Sequence, residues 1–205
     1  MSAASKTILI LGGGFGGIVA ACRLRQALPR EHRVILVERE TNHVFAPSLL
    51  WLMIGERNTD AISRPIAALA KRGIEVVRGT IEKIDPARRA VSVNDRELAG
   101  DYMIVALGAD LAPEVVPGLA EARHNFYTLD GAASLRAALS KLRQGRIAVL
   151  VASMPFKCPA APNEAAMLLE YDCRRRGVRQ NALVDLYTPE PGPMPVAGPA
   201  VSAAL

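Results

Sequence analysis

Three glycines and one carboxylate near the start of the chain have the spacing that phosphate and ribose recognition needs. Gly12, Gly14 and Gly17 stand as Gly-x-Gly-x-x-Gly directly after the apolar run Thr7–Leu11, and Glu38 follows 21 residues after Gly17. In such a turn Gly12 allows the tight bend out of a strand, and Gly14 lets the backbone approach a pyrophosphate. Gly17 lets helix and strand pack closely. The helix behind the turn offers free N–H groups and the positive end of its dipole. Glu38, with Arg39 beside it, can accept from both ribose hydroxyls and would repel a 2′-phosphate, which argues against NADP. Glycine-rich turns also arise for structural reasons alone. Here strand, turn, helix, strand and acid fall in order, and together they indicate an adenine-dinucleotide site.

A second chemistry lies in the stretch Ala152–Glu164, which has no glycine and carries Pro155, Pro159 and Pro162. Prolines remove N–H donors and stiffen the chain, so this loop is expected not to cradle the pyrophosphate of NAD. It offers Cys158 instead, next to Lys157 and shortly before a helix. A helix N-terminus and a neighbouring ammonium both favour the thiolate, the reactive form. The alternative is an inert, packed cysteine, which is how Cys22 and Cys173 read within their helices. Glu164 is either a proton-handling carboxylate near that thiol or a first-turn acid stabilised by the helix dipole.

The elements that must hold these residues alternate between strand and helix. Thr7–Leu11, the helix Ile18–Leu28 closed by Pro29, and the strand Arg33–Glu38 make a βαβ unit within about 30 residues. Beyond it the pattern predicts a helix over Arg64–Lys71 closed by Gly73, and strands at Glu75–Arg78, Glu82–Ile84, Ala90–Val93 and Asp101–Leu107. Pro113–Gly118 reads as a crossing segment, and Leu129–Arg143 as an amphipathic helix capped by Asp130 and stopped by Gly145. A buried strand over Arg146–Ala152, a helix over Asn163–Arg176 and a strand over Asn181–Tyr187 begin a second unit. Pro189–Pro199, with five prolines, reads as loop. The fold class is α/β. A Rossmann-like domain is expected over 1–112, a connecting segment and helix over 113–144, and an incomplete second Rossmann-like βαβ unit over 145–205. A single βαβ unit cannot cover both faces of its sheet, so the chain reads as the N-terminal half of a longer protein.

Composition narrows the remaining classes. Half the residues are apolar, 22% are charged and the net charge is +5, ordinary for an α/β protein. With 4% aromatics and no basic stripe interleaved with them, nucleic acid is not an expected partner. Thr7–Leu11 is too short for a signal-peptide core, and Val44–Ile54, broken by Pro47 and Ser48, cannot span a bilayer. Three cysteines without a CxxC or a histidine at ligand spacing predict neither a metal site nor a disulfide framework. Arg174–Arg176 read as the solvated end of a helix, and His32 and His124 as surface residues.

Two further stretches carry a resemblance. Ala106-Leu107-Gly108 at the end of a strand is similar to the Ala-Thr-Gly that lies against FAD in the pyridine nucleotide–disulfide oxidoreductase superfamily, and Pro117-Gly118 fits that superfamily's Pro-Gly turn. The loop Pro155–Ala166 resembles the sulfide:quinone oxidoreductase and flavocytochrome c sulfide dehydrogenase branch, where Cys-x-x-x-Pro-x-Glu supplies one half of a redox-active cysteine pair. Cys158, Pro162 and Glu164 match, and Asn163 replaces the usual Tyr. The resemblance runs over essentially the whole chain.

It implies an FAD-dependent oxidoreductase in which sulfide opens a cysteine bridge and two electrons pass to FAD and then to quinone. Cys158 and Glu164 are the implied catalytic residues. Gly12, Gly14, Gly17, Glu38, Arg39, Pro47, Ser48, Ala106 and Gly108 are the implied cofactor-binding ones. His43, Pro47 and Ser48 fall where the family lines the flavin; as alternatives, His43 is an exposed loop residue and Pro47 a turn former. The partner cysteine comes from the C-terminal half in this family, so these 205 residues alone are expected to be inactive. The stretch Asn125–Asp130 offers Thr128 where some members carry a further cysteine. No cysteine stands near Ala46–Pro47, where the flavocytochrome branch attaches FAD, so FAD is expected to be non-covalent and the acceptor a quinone. The full-length protein is expected to be peripheral on the inner (cytoplasmic) membrane, attached through its C-terminal half, and otherwise cytoplasmic. The other readings are an NAD(P)H-dependent quinone or disulfide reductase of the same superfamily, and a non-catalytic FAD-binding fragment.

Overall fold

In a computed structural model, which describes residues 4–122 and 124–205, the apolar run Thr7–Leu11 forms the strand β1 and is covered on both sides. The helix α1 (Phe15–Ala27) leads from it to the parallel strand β2 (Arg33–Glu38). The segment Asn42–Val44 (β3) pairs with Ser63–Pro65 (β4) in an antiparallel ribbon. After it come β5 (Glu75–Arg78), an antiparallel sheet of β6 (Ile81–Asp85), β7 (Ala90–Val93) and β8 (Arg96–Ala99), and β9 (Tyr102–Val105). The main sheet is parallel with the order β5-β2-β1-β9. Counted along its own strands this is 3-2-1-4, the order of a Rossmann-like α/β fold.

Alternate residues of β1 and β2 face opposite layers. Ile8, Ile10, Val34 and Leu36 pack with Ala21 of α1, Ile66 and Ile74. Leu9, Leu11, Ile35 and Val37 pack on Val91 and Val93 of the antiparallel sheet. Burial on both faces is why these strands read as unbroken apolar runs instead of alternating ones. All these elements belong to one compact unit, made of the chain up to Val44 together with Ser63–Leu111.

The second unit gathers Phe45–Ile62 with Ala112–Leu205. It contains the short helices α2 (Leu49–Met53) and α3 (Thr59–Ile62), the helix α4 (Leu129–Lys141), and a parallel pair of strands, β10 (Gly145–Leu150) and β11 (Ala182–Tyr187). These two strands are joined by α5 (Ala161–Arg175), and α6 (Pro199–Ala204) follows. Cys173 of α5 is fully packed against Ile147 and Val184 of the strands, and burial raises its thiol pKa. Among the described residues no helix is long and apolar enough to cross a membrane.

Several expectations change. The predicted helix Arg64–Lys71 is a 3-10 helix, Ile66–Arg72, preceded by β4, because Pro65 cannot donate the bonds of a helix interior. Gly73 closes it in the left-handed conformation at φ 82°. The N-cap of α4 is Thr128, whose hydroxyl accepts from Gly131 N at 3.1 Å, and not Asp130. The first strand of the second unit is not buried as expected. Val149 is its one buried residue, while Leu150, with Leu183 and Tyr187 of β11, is exposed, since α5 covers only one face of the pair. Arg96–Ala99 and Pro199–Ala204 are elements the pattern did not indicate.

The three arginines at the end of α5 are not all solvated. Asp172 is 3% exposed, accepts from Arg175 at 2.6 Å and lies 3.2 Å from Nε of Arg176. Arg175 donates onward to the Ile54 carbonyl at 2.7 Å, and Arg176 to the carbonyls of Leu139 and Leu142 at the end of α4. The carboxylate thus orients two cations that fasten helix ends. Asp172→Ala would leave them without their buried counter-charge, so we expect a loss of about 3 kcal/mol, measurable by urea denaturation. Asp185→Ala, which breaks an exposed pair with Arg146, should cost less than about 1 kcal/mol.

Candidate functional site

The carboxyl ends of parallel strands are where α/β sheets bind ligands, and in the first unit the end of β1 is shaped by its glycines. Gly12 has φ 101°, and a Cβ there would strike the carbonyl of Ala106. Gly17, in the first turn of α1, is pressed so close to β1 that a Cβ would strike the carbonyl of Gly12. Gly14 is the N-cap of α1 and has no side-chain cap bond. Nothing lies within 4 Å of where its Cβ would be. The first-turn N–H groups of a helix have no acceptor within the helix, so this open end can receive an anion.

Glu38 reaches the turn from the end of β2. Its Oε2 accepts from Gly13 N at 2.5 Å and its Oε1 from Glu40 N at 2.9 Å. Each carboxylate oxygen retains a second lone pair for a hydroxyl. Gly13 was not among the expected residues, although a Cβ there would come within 2.8 Å of the Glu38 side chain. The run of three glycines was the available signal. Arg39 is exposed and ion-paired with Glu40 at 3.3 Å and Asp110 at 3.8 Å. Ala106 lies against Gly12 and, through its Cβ, against Gly16, while Gly108 has φ 77° with free space beside it. His43 is half-buried. Its Nδ1 lies 3.1 Å from the Gly13 carbonyl, which can only accept, so this nitrogen carries the proton. Its ring meets Phe15 edge-on at 5.0 Å, so His43 is not the exposed loop residue of the alternative reading.

The remaining expected residues belong to the second unit. Pro47 and Ser48 sit on the 3-10 turn Ala46–Ser48. Cys158 is exposed and holds φ 59°, a left-handed conformation that non-glycine residues adopt at a cost. Its carbonyl accepts from Ala161 N at 3.0 Å, which ties the loop to the first turn of α5. Glu164, exposed, is in that turn. Asn163 is buried and donates to the Pro159 carbonyl at 3.4 Å.

Tyr127 was missed. Its hydroxyl donates to the Lys157 carbonyl at 2.7 Å, next to Cys158 in sequence. Burial, and secondarily the charge of Cys158, push its pKa up to about 12. The Asn125 side chain accepts from the N–H groups of Tyr127 and Thr128, both at 3.0 Å, which sets where Tyr127 points. An Asn two residues before an aromatic and three before a Thr N-cap was the faint signal. Among the described residues no group of histidines, cysteines and carboxylates could hold a metal ion.

The sequence profile of the pyridine nucleotide-disulphide oxidoreductase family matches residues 6–154. The sulfide-quinone reductase of Aquifex aeolicus is 29% identical over 193 residues, covering 91% of this chain and 44% of that protein. A demethylphylloquinone reductase of Synechocystis is 34% identical over 153 residues, covering 70% of this chain and 38% of that protein. The crystal structure of the sulfide:quinone oxidoreductase from Aquifex aeolicus superposes with a TM-score of 0.86 at 27% identity, over 97% of this chain and 47% of that one. This chain therefore spans less than half the length of these relatives.

Two measurements check the geometry. Gly17→Ala places a methyl group against a backbone carbonyl and should lower stability by about 2 kcal/mol, whereas Gly14→Ala, facing open space, should change it by less than about 1 kcal/mol; urea denaturation separates them. Tyr127 stays protonated to about pH 12 in the folded state. Its raised pKa therefore favours the fold below pH 10, and that contribution fades as pH rises towards 12. In an absorbance titration of the folded protein, Tyr127→Phe should remove the tyrosinate signal that rises near pH 12.

Proposed function

This chain belongs to the pyridine nucleotide-disulphide oxidoreductase family, and from that membership and the two loops described above we propose that it is the FAD-binding part of a sulfide:quinone-type oxidoreductase. In this reading 1–112 bind FAD, 113–144 connect, and 145–205 begin the unit that carries the reactive thiol. The observation that carries the proposal is Cys158, exposed in a left-handed conformation within a loop that has three prolines and no glycine. A loop of this kind presents a sulfur and cannot wrap a second pyrophosphate.

The residues at the end of β1 fit FAD. The uncapped first turn behind Gly14 faces a pyrophosphate, and Gly12 and Gly17 keep that turn against the strand. Glu38, pre-oriented by Gly13 N and Glu40 N, accepts from the ribose. Ala106 lies against the turn, Gly108 leaves open space beside it, and Arg39 closes the rim. No covalent link to the cofactor is proposed, and the site needs no metal. Bound there, FAD would supply the acceptor for an electron pair destined for a quinone.

The chain's own chemistry lies in the thiol. Cys158 forms a disulfide with a cysteine from outside these 205 residues. Sulfide attacks one sulfur of that bond, so the S–S bond breaks, a persulfide forms on one cysteine and a thiolate leaves on the other. Glu164, one turn into α5, takes up the proton that sulfide loses. Attachment to the cytoplasmic membrane, through the part of the protein outside this chain, belongs to the same proposal.

The 34% likeness to a demethylphylloquinone reductase supports a second reading, an NAD(P)H-dependent quinone reductase. Anaerobic addition of each reductant to the flavin-loaded protein, in a chain long enough to include the partner cysteine, separates them. Sulfide should bleach the flavin, NADH should not, and Cys158→Ser should slow bleaching by on the order of 100-fold or more. Bleaching by NADH alone would establish the second reading. A flavin that responds to neither would mark a non-catalytic FAD-binding module.

A further inference from the structure

At the opposite end of α1 from the glycine turn, a cavity of about 350 Å³ is lined by Cys22, Arg25, Gln26, Leu28, Arg30 and Arg72. Three of these six residues are arginines and none is acidic. All six belong to the first unit. The 13 residues of α1, at 1.5 Å each, put this cavity about 20 Å from the dinucleotide turn.

Among the described residues Arg25, Arg30 and Arg72 meet no carboxylate, and the first two are held in place by backbone carbonyls. Arg25 is 6% exposed, gives Nη1 to the His32 carbonyl and Nη2 to the carbonyls of Leu28 and Pro29, and has no partner for Nε. Arg30 donates to the Arg72 carbonyl at 3.2 Å. Gly73, at φ 82°, leaves room for Arg30 Nη1 and Arg25 Cδ, and a Cβ there would strike the former. Like charges held together without a counter-ion repel, and the arrangement is relieved when an anion enters.

We propose that this cavity is a second anion site, separate from the dinucleotide turn, which takes a phosphate group borne on a small molecule or on a lipid headgroup. Arg25 neutralises the carbonyl end of α1, so the anion is not opposed by the helix dipole. Arg30 and Arg72 offer planar forks that suit a phosphate dianion, and Gln26 adds an amide donor. The volume falls within the range of small-ligand sites, so the group carrying the phosphate fits as well. Cys22 on the cavity wall reports its occupancy.

The test uses the protein with FAD added, so that the glycine turn is filled, and inorganic phosphate against chloride at equal ionic strength. Phosphate should raise the thermal midpoint and slow alkylation of Cys22, read by peptide mass. The double variant Arg30→Ala/Arg72→Ala, altered only at exposed side chains, should fold and need about tenfold more phosphate, or still more, for either effect. An equal response in both proteins, or none in either, overturns the proposal. Vesicles of phosphatidylglycerol and of phosphatidylcholine then identify the source. Retention on the anionic vesicles alone, lost in the double variant, assigns a lipid headgroup. Phosphate protection of Cys22 without vesicle retention assigns a soluble phosphate compound.

Discussion

The close approach of α1 to β1 governs the first unit. The Gly17 backbone lies so near the Gly12 carbonyl that no side chain fits between them. Through this contact the helix N-terminus stands at the carboxyl edge of the sheet, and Gly14 is left as a cap with open space in front of it. The same approach brings Ala106, at the end of β9, against Gly12 and Gly16. Glu38 then accepts from Gly13 N and Glu40 N at the edge of the turn. An anion-receptive helix end and an oriented carboxylate thus both follow from the absence of Cβ atoms.

In the second unit α5 has different work at its two ends. At its carboxyl end Asp172 aligns Arg175 and Arg176 so that they bind the ends of α2 and α4. Buried carboxylates survive when paired and hydrogen-bonded, and both conditions hold here. At its amino end the helix is preceded by the loop of Cys158, which the carbonyl bond to Ala161 N and the Tyr127 hydroxyl on Lys157 hold in shape. A rigid helix therefore carries an exposed thiol in a left-handed backbone conformation just ahead of its first turn. The contrast between the two loops of the chain is chemical. One is rich in glycine, and the other has three prolines, no glycine and a thiol.

Legibility in the sequence followed the range of the interactions. The strands β1 and β2 were readable because burial on both faces leaves an unbroken apolar run. Their intervening helix was recognisable too, although it starts at Phe15 instead of Ile18 because glycines are accepted in its first turn. The 3-10 helix Ile66–Arg72 was misread as α, since apolar spacing over so short a stretch does not separate the two. The cap of α4 was placed at Asp130 because Asp and Thr are both good caps, and only the Asn125 side chain at Thr128 and the bond to Gly131 N decide between them. Cys158 was visible as a cysteine among prolines, while its positive φ was not.

By itself the sequence determined the α/β class, the glycine turn with its acid, and the absence of a glycine turn from the second loop, because these depend on residue type and local spacing. Tertiary structure decided which side chains meet. It set Gly13 beneath Glu38, gave His43 to the turn, turned Tyr127 onto the Cys158 loop, buried Asp172 between two arginines, and gathered Arg25, Arg30 and Arg72 around one cavity. Arg25 and Arg72 are 47 positions apart in the chain. Contacts across such separations arise from how helices lie on the sheet, and residue spacing along a strand or helix carries no record of them.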